Sequence, residues 1–117
     1  MARQYRIEKI VLTAAFAAGC MALAVIPAAA DDAFTLTIKD HRFSPETIKV
    51  PAGQEFDLTV INADPTAEEF ESNDLHIEKV IAGGKQMTFH IGALAAGTYD
   101  FVGERHEDTA LGKLIVE

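Results

Sequence analysis

The chain has 117 residues, a formal net charge of -8, 49% hydrophobic residues and one cysteine. This length suits one small domain, and the acidic balance disfavours nucleic acid and anionic membranes as partners. A single cysteine cannot form an intramolecular disulfide, so an apolar core must hold the fold together.

The first 30 residues have the layout of a cleaved export signal. Three parts follow in order: a basic stretch from Arg3 to Lys9, an apolar run from Ile10 to Ile26, and the A-x-A cleavage site Ala28-Ala29-Ala30. One alternative is a retained membrane anchor, but the run is shorter than the roughly 20 residues that span a bilayer. Another is a lipoprotein box at Ala18-Gly19-Cys20, but no polar tether follows Cys20. We therefore expect a signal peptide over residues 1–30 and an exported domain over residues 31–117.

Cleavage would change the chemistry of the domain. The leader contains three basic residues, one acidic residue and Cys20, so residues 31–117 would carry a net charge of -10 and no thiol. Such a domain has no thiolate for a soft metal. Its charge suits a protein that handles cations or meets a basic partner, although surface acid also promotes solubility.

Short segments of alternating apolar and polar residues follow, which is typical of half-buried strands. They cover residues 34–38, 48–50, 56–60, 75–81, 87–91, 98–102 and 113–116. Proline and glycine stand between them, and no segment has sustained helical periodicity. The pattern predicts an all-β protein, an antiparallel Greek-key β-sandwich of about seven short strands.

The stretch from Asn62 to Asp74 interrupts this pattern. Residues 64–69 are strongly acidic and are predicted to form a loop. Phe70 and Leu75 lie in opposite phases of the alternation, which predicts a turn at Ser72-Asn73-Asp74. A long acidic loop at one end of a sandwich is where we expect function to reside.

Two longer motifs carry a resemblance to a known family. They are F-x-P-x-x-I-x-V-x-A-G-x-x-F-x-x-x-x-x-N over residues 43–62 and the closing stretch TYDFVGERHEDTALGKLIV. Together they resemble the cupredoxins, whose closing loop reads Y-x-F-x-C, then a histidine three residues later, often a methionine, and G-x-I-x-V. The motifs E-E-F-E-S, E-K-V-I and G-E-x-H-E-D-T-A make the chain most similar to EfeO-type cupredoxin-like domains, which are associated with bacterial iron uptake.

The chain departs from the cupredoxin copper site at several positions. Gly103 stands at the cysteine position, and Ala110 and Leu111 stand where the methionine would be. The segment Asn62-Ala63-Asp64, which a ligand histidine usually follows, leads to glutamates instead. A type 1 copper site needs a thiolate and two histidines, so the resemblance implies the frame without blue-copper chemistry.

The candidate metal ligands are Glu69, Glu71, Glu104 and His106. A strand period of two places Glu69 and Glu71 on the face opposite Phe70, and it relates Glu104 to His106 in the same way. If the sandwich closes as in cupredoxins, both pairs lie at the same end. Oxygen and imidazole donors suit iron or Cu(II) as the transition metal ion.

Other interpretations of these residues stay open at this stage. The carboxylates would also serve as solvated surface groups, and His106 would then hydrogen-bond the backbone. Lys79 would pair with one carboxylate in a metal-free network. His76 is a candidate auxiliary ligand outside the family pattern.

The resemblance implies a periplasmic metal-binding accessory protein of a membrane iron-transport system, with a membrane permease as its partner. Nucleic acid is not expected as a partner. The alternatives are a copper-dependent ferrous iron oxidase or electron-transfer protein and a metal-free adaptor of the transporter. The sequence shows neither a nucleophile-and-base arrangement nor a phosphate-binding glycine loop. This favours a binding protein over an enzyme.

Overall fold

A computed structural model describes residues 32–117, so the predicted signal peptide over residues 1–30 lies outside the described residues. The described residues form strands β1 (Asp32–Lys39), β2 (Arg42–Ser44), β3 (Thr47–Val50), β4 (Phe56–Asn62), β5 (Glu68–Ser72), β6 (Ile77–Ile81), β7 (Gln86–Ile91), β8 (Gly97–Gly103) and β9 (Leu111–Val116). A 3-10 helix over Glu104–His106 joins β8 to β9. Within residues 32–117 there is no helix long and apolar enough to cross a bilayer.

The strands form two sheets, in the orders β2-β1-β4-β7 and β3-β9-β8-β5-β6. Most neighbouring strands are antiparallel, but β1 runs parallel to β4 and β3 runs parallel to β9. The predicted all-β sandwich is confirmed. The sheets are mixed rather than antiparallel throughout, because the strands of both parallel pairs are joined through intervening strands rather than by hairpins.

The core lies between the sheets and follows the alternation read from the sequence. In β4, Phe56, Leu58 and Val60 are buried, and the residues between them are only half-buried. Phe43 packs edge-on against Phe70 of β5. This contact anchors β5, the strand that carries two of the candidate ligands.

The predicted acidic loop is shorter in the structure. β5 already begins at Glu68, whose ladder partner is Ile81, so residues 63–67 alone connect β4 to β5. Glutamate is depleted in strands, which is why the local sequence favoured a loop here. The predicted turn after β5 is confirmed, because β6 does not begin until Ile77.

Candidate metal centre

Strand β5 separates its glutamates onto two faces. Glu68, Phe70 and Ser72 are buried, whereas Glu69 and Glu71 are half-buried on the other face. The expected projection of Glu69 and Glu71 away from Phe70 is therefore confirmed. The outer face of β5 is the surface on which the carboxylates gather.

Three carboxylates meet on this outer face. One side-chain oxygen each of Glu69, Glu78 and Glu104 lies within 4.8 Å of the other two. We call these three residues the carboxylate centre. Glu69 is half-buried, and Glu78 and Glu104 are exposed. Because only oxygen donors converge, the centre suits hard cations and leaves coordination positions for water.

Glu78 was not among the predicted ligands. It lies in β6, where the register pairs it with Glu71 and places Val80 opposite Glu69. The residues at 78 and 80 alternate with Lys79, so Glu78 shares a face with Glu69 and Glu71. Cross-strand register was the missing information, although the motif E-K-V-I had marked the segment.

Lys79 lies on the other side of β6. Its register partner is Phe70, whose side chain points into the core. Residues directly opposite each other on paired strands share a face. Lys79 therefore does not belong to the face that carries Glu69 and Glu71.

His106 lies apart from the carboxylate centre. Glu104–His106 form a 3-10 helix, so the expected strand-like alternation of Glu104 and His106 is wrong. The helix is followed by a tight turn, in which the Ala110 backbone N–H donates to the His106 carbonyl at 2.7 Å. This turn directs the His106 ring towards Glu68, on the inner side of β5.

Glu68 is a buried carboxylate whose oxygens are all engaged. It is 2% exposed, and its Oε1 accepts hydrogen bonds from the backbone N–H groups of Glu69 at 3.0 Å and Arg105 at 2.9 Å. Its Oε2 lies 2.6 Å from His106 Nδ1, so the carboxyl group and the imidazole share a hydrogen bond. Glu68 thus holds the 3-10 helix and the imidazole in place.

The Glu68 side chain also occupies the space beside Gly103. A Cβ atom at Gly103 would lie 2.7 Å from Ala110 Cβ and 2.8 Å from Glu68 Cδ. Such distances are too short for unshifted neighbours. A cysteine at position 103 would therefore require Glu68 and Ala110 to shift, and the residues present do not form a type 1 copper site.

The space around Glu68, Gly103 and His106 is called the inner pocket, and His41 of the other sheet covers it. Its ring stacks on His106, with centroids 3.5 Å apart and an interplanar angle of 8°. Asp40 and His41 adopt left-handed backbone conformations, with φ of 52° and 60°, in the turn between β1 and β2. Such conformations are uncommon for residues other than glycine, so the turn requires support.

Asp64 supplies that support. Its carboxylate accepts hydrogen bonds from the Asp40 N–H at 2.7 Å and the His41 N–H at 2.9 Å. Burial raises the pKa of Asp64, but the hydrogen bonds from His41 and Asp40 outweigh it and leave the pKa below its ordinary value. Asp64 is therefore engaged in holding the turn.

The structure thus divides the predicted ligand set. Glu69 and Glu104 lie together in the carboxylate centre. Glu71 lies opposite Glu78 in the ladder between β5 and β6. His106 is hydrogen-bonded to Glu68. Whether a metal binds any of these residues stays a prediction.

Comparisons with known proteins agree with this architecture. The model of the cupredoxin-like domain family matches residues 9–116. An uncharacterized protein of Rickettsia prowazekii (strain Madrid E) is 43% identical over 81 residues, which cover 69% of this chain and 65% of that protein. The chain therefore spans just under two thirds of the relative's length.

Several solved structures share the fold. A Cu(I) form of an amicyanin mutant superposes with a TM-score of 0.60 at 22% identity, covering 76% of this chain and 86% of amicyanin. The Cu(I)-bound metal-binding domain of the Streptococcus pneumoniae copper-exporting ATPase CopA gives 0.64 at 15% identity, covering 73% and 84%. A multicopper oxidase gives 0.62 at 18% identity, covering 75% and 39%.

These structures share the fold with this chain and include copper-binding proteins. The family model spans almost all of the described residues, from the first strand to the last. The chain belongs to the cupredoxin-like domain family.

Proposed function

We propose that this chain is a metal-binding protein that holds iron or Cu(II) at Glu69, Glu78 and Glu104. The observation that carries the proposal is the convergence of three carboxylate oxygens within 4.8 Å on one exposed face. Three like charges so close together repel one another, and a cation relieves that repulsion.

The donor set decides which ions suit the site. Carboxylate oxygens favour hard cations, of which ferric iron is one, and Cu(II) binds oxygen and nitrogen sites more tightly than other divalent first-row ions. Cu(I) prefers thiolate or thioether sulfur, and the carboxylate centre supplies neither. We therefore propose that this chain binds a different ion from the Cu(I) in the amicyanin and CopA structures.

We further propose that the protein acts in the periplasm as an accessory or metal donor of a membrane iron-uptake permease. The support is the resemblance of its E-E-F-E-S and G-E-x-H-E-D-T-A motifs to EfeO-type domains and the export-like layout of residues 1–30. An exposed, open carboxylate site also suits exchange of an ion with a partner.

Calorimetric titration of the purified protein with Fe(III) in a weak chelate and with Cu(II) tests the metal assignment. We expect Glu104→Gln to weaken binding by more than about tenfold, since it removes a direct ligand. Glu107→Gln is the matched control, because Glu107 is an exposed glutamate outside the carboxylate centre. Equal binding by the two variants, or none by the wild type, would overturn the assignment.

The transport role needs a separate test in cells. Cells lacking the gene should accumulate less iron under iron limitation, and the wild-type gene should restore uptake where the Glu104→Gln gene does not. Normal iron uptake in the deletion strain would contradict the transport role while leaving the metal site intact.

A further inference from the structure

Strand β7 forms one edge of the four-stranded sheet. Within residues 32–117 its ladder partner is β4 alone, so the other side of β7 is unpaired. An edge strand exposes a row of backbone N–H and C=O groups that can pair with a further strand. Proteins usually protect such edges with charged residues or proline.

β7 lacks this protection, in contrast to the other three edge strands of the described residues. β2 contains Arg42, β3 contains Lys49 and β6 contains Lys79. β7 reads QMTFHI, with no lysine, arginine, carboxylate or proline. Its residues also favour strands, so this edge can accept another strand.

The hydrogen bonds to β4 show which backbone groups of β7 face the open side. The Asn62 N–H donates to the Lys85 carbonyl at 2.8 Å, and bonded residues alternate along an antiparallel ladder. The hydroxyls of Thr59 and Thr88 lie 2.7 Å apart, as suits the closer side chains of a pair without backbone hydrogen bonds. By this alternation, three residues direct their N–H and C=O groups to the open side: Gln86, Thr88 and His90.

An apolar cavity lies beside the same edge. It has a volume of about 380 Å³, and its apolar lining includes Leu75, Ile77, Phe89 and Ile91. The first three of these side chains are only half-buried. Another apolar side chain placed beside the edge would remove their exposed surface from water.

We propose that β7 pairs with β7 of a second copy of this chain, antiparallel and with the two-fold axis at Thr88. Thr88 then pairs with Thr88 of the second copy, and Gln86 pairs with His90 of the second copy. All three outward-facing residues thus gain backbone hydrogen bonds, and the two four-stranded sheets become one continuous sheet. Because both copies use the same strand, the assembly closes as a dimer.

The side chains of β7 are complementary to themselves in this register. On the inner face, Met87 lies opposite Phe89 of the second copy, at the mouth of the cavity that Phe89 lines. Sulfur–aromatic contacts and threonine–threonine pairs are both favourable. No like charges face each other, since the neutral Gln86 stands opposite His90. A second copy supplies this complementary order by symmetry, which favours it over an unrelated strand as the occupant.

The dimer is independent of the proposed function. β7 belongs to the four-stranded sheet, whereas Glu69 and Glu78 of the carboxylate centre lie in the five-stranded sheet. Loss of the dimer would therefore leave the metal assignment standing, and loss of metal binding would leave the dimer standing.

Sedimentation equilibrium of the purified protein tests the pairing. The wild type should form a dimer, and Thr88→Lys should raise its dissociation constant by more than about tenfold, because two like charges then meet at the axis. Thr35→Lys is the matched control, since Thr35, Thr59 and Thr88 form one row across the sheet and Thr35 is exposed on β1, away from the edge at β7. A wild type that stays monomeric at millimolar concentration, or equal weakening in both variants, would overturn the proposal.

Hydrogen exchange measured by two-dimensional NMR tests the register. The Thr88 and His90 amides should exchange more slowly as the protein concentration rises, because the second copy supplies their acceptors. The Phe89 amide, which faces β4, should exchange slowly at every concentration. A dimer in which exchange at Thr88 does not depend on concentration would place the interface elsewhere and contradict the pairing of β7.

Discussion

Glu68 and Glu69 are adjacent in the sequence and lie in different environments. Glu68 is buried and bonded to His106 and to two backbone N–H groups. Glu69 faces outward beside the carboxylates of Glu78 and Glu104. The alternation of a single strand thus assigns one glutamate to the fold and the next to a candidate binding surface.

The contrast between Glu68 and Glu69 shows how a cupredoxin-like fold is maintained without the residues of a type 1 copper site. At the inner position, a carboxylate and an imidazole share a hydrogen bond beside Gly103, the position at which the resemblance to cupredoxins places a cysteine. At the outer position, carboxylates face one another with no such internal partner among the contacts described. The proposed metal position therefore lies on the outer face and not beside Gly103.

The largest difference in unfolding free energy should be found between the single variants Glu68→Ala and Glu69→Ala. Glu68→Ala leaves His106 and two part-buried N–H groups without their hydrogen-bond partner. Since each such loss costs about 1–3 kcal/mol, we expect the unfolding free energy to fall by about 3 kcal/mol or more. Glu69→Ala should change it by no more than about 0.5 kcal/mol. Urea unfolding of both variants measures this, and equal losses would contradict the division of roles.

A cysteine at position 103 tests whether Glu68 fills the former ligand space. Gly103→Cys should lose about 1–3 kcal/mol through overpacking against Glu68 and Ala110. With Cu(II), it should show no strong copper-thiolate absorption. Adding Glu68→Ala removes the contact with Glu68 and leaves the contact with Ala110 Cβ, so the double variant should show stronger absorption than the single variant.

The matched control for this cysteine is Gly92→Cys, because a Cβ atom at Gly92 has no neighbour within 4 Å. It should leave the unfolding free energy almost unchanged. Strong copper-thiolate absorption in the single variant Gly103→Cys would show that the Glu68 side chain does not block the pocket.

Replacing Asp64 should change the unfolding free energy less, and the change should depend on pH. Asp64→Asn loses one of the two backbone hydrogen bonds to the turn at Asp40 and His41, at a cost of about 1–3 kcal/mol. Because the folded pKa of Asp64 is lowered, its contribution is present above the unfolded value of 3.8 and is lost as the pH falls through the folded pKa.

Unfolding free energies near pH 6 and near pH 3 measure this dependence. The advantage of the wild type over Asp64→Asn should shrink in acid. An advantage that stays constant over this range would show that the carboxylate charge does not hold the turn.

The smallest contribution to stability should come from the hydrogen bonds of the His90 ring. Its Nδ1 lies 2.8 Å from Asp57 and its Nε2 lies 2.9 Å from Glu55, and these hydrogen bonds raise its pKa. The stabilisation is full below the unfolded value of 6.5 and is lost as the pH rises through the folded pKa. Proton NMR titration of the ring should show the raised pKa and its return towards the ordinary value in Asp57→Asn.

Most of the fold could be predicted from the sequence. Alternation marked the longer strands because one face of each is buried, as in β4. The short strand β2 and the acidic strand β5 were missed, since three residues carry little periodicity and glutamate favours other structures. Strand direction was also mispredicted, because parallel pairing is decided by long connections rather than by local pattern.

In the candidate site, only the features that depend on the alternation within a single strand could be predicted from the sequence. The shared face of Glu69 and Glu71 follows from a period of two, and the structure confirms it. Glu78 joins that face through cross-strand register, which no local pattern contains. The partnership of Glu68 with His106 joins residues 38 positions apart, and the 3-10 helix that permits it has no signal in the alternation.

Paramagnetic line broadening by Mn²⁺ tests the central claim most directly, because Mn²⁺ favours carboxylate oxygen and broadens amide resonances close to it. Substoichiometric Mn²⁺ should first broaden the backbone amides of Glu69, Glu78 and Glu104 in a two-dimensional NMR spectrum of the purified protein. The amides of Asp40 and His41, which lie in the turn between β1 and β2 of the other sheet, should broaden later. Broadening that begins at Asp40 and His41 would place the metal in the inner pocket and contradict the account.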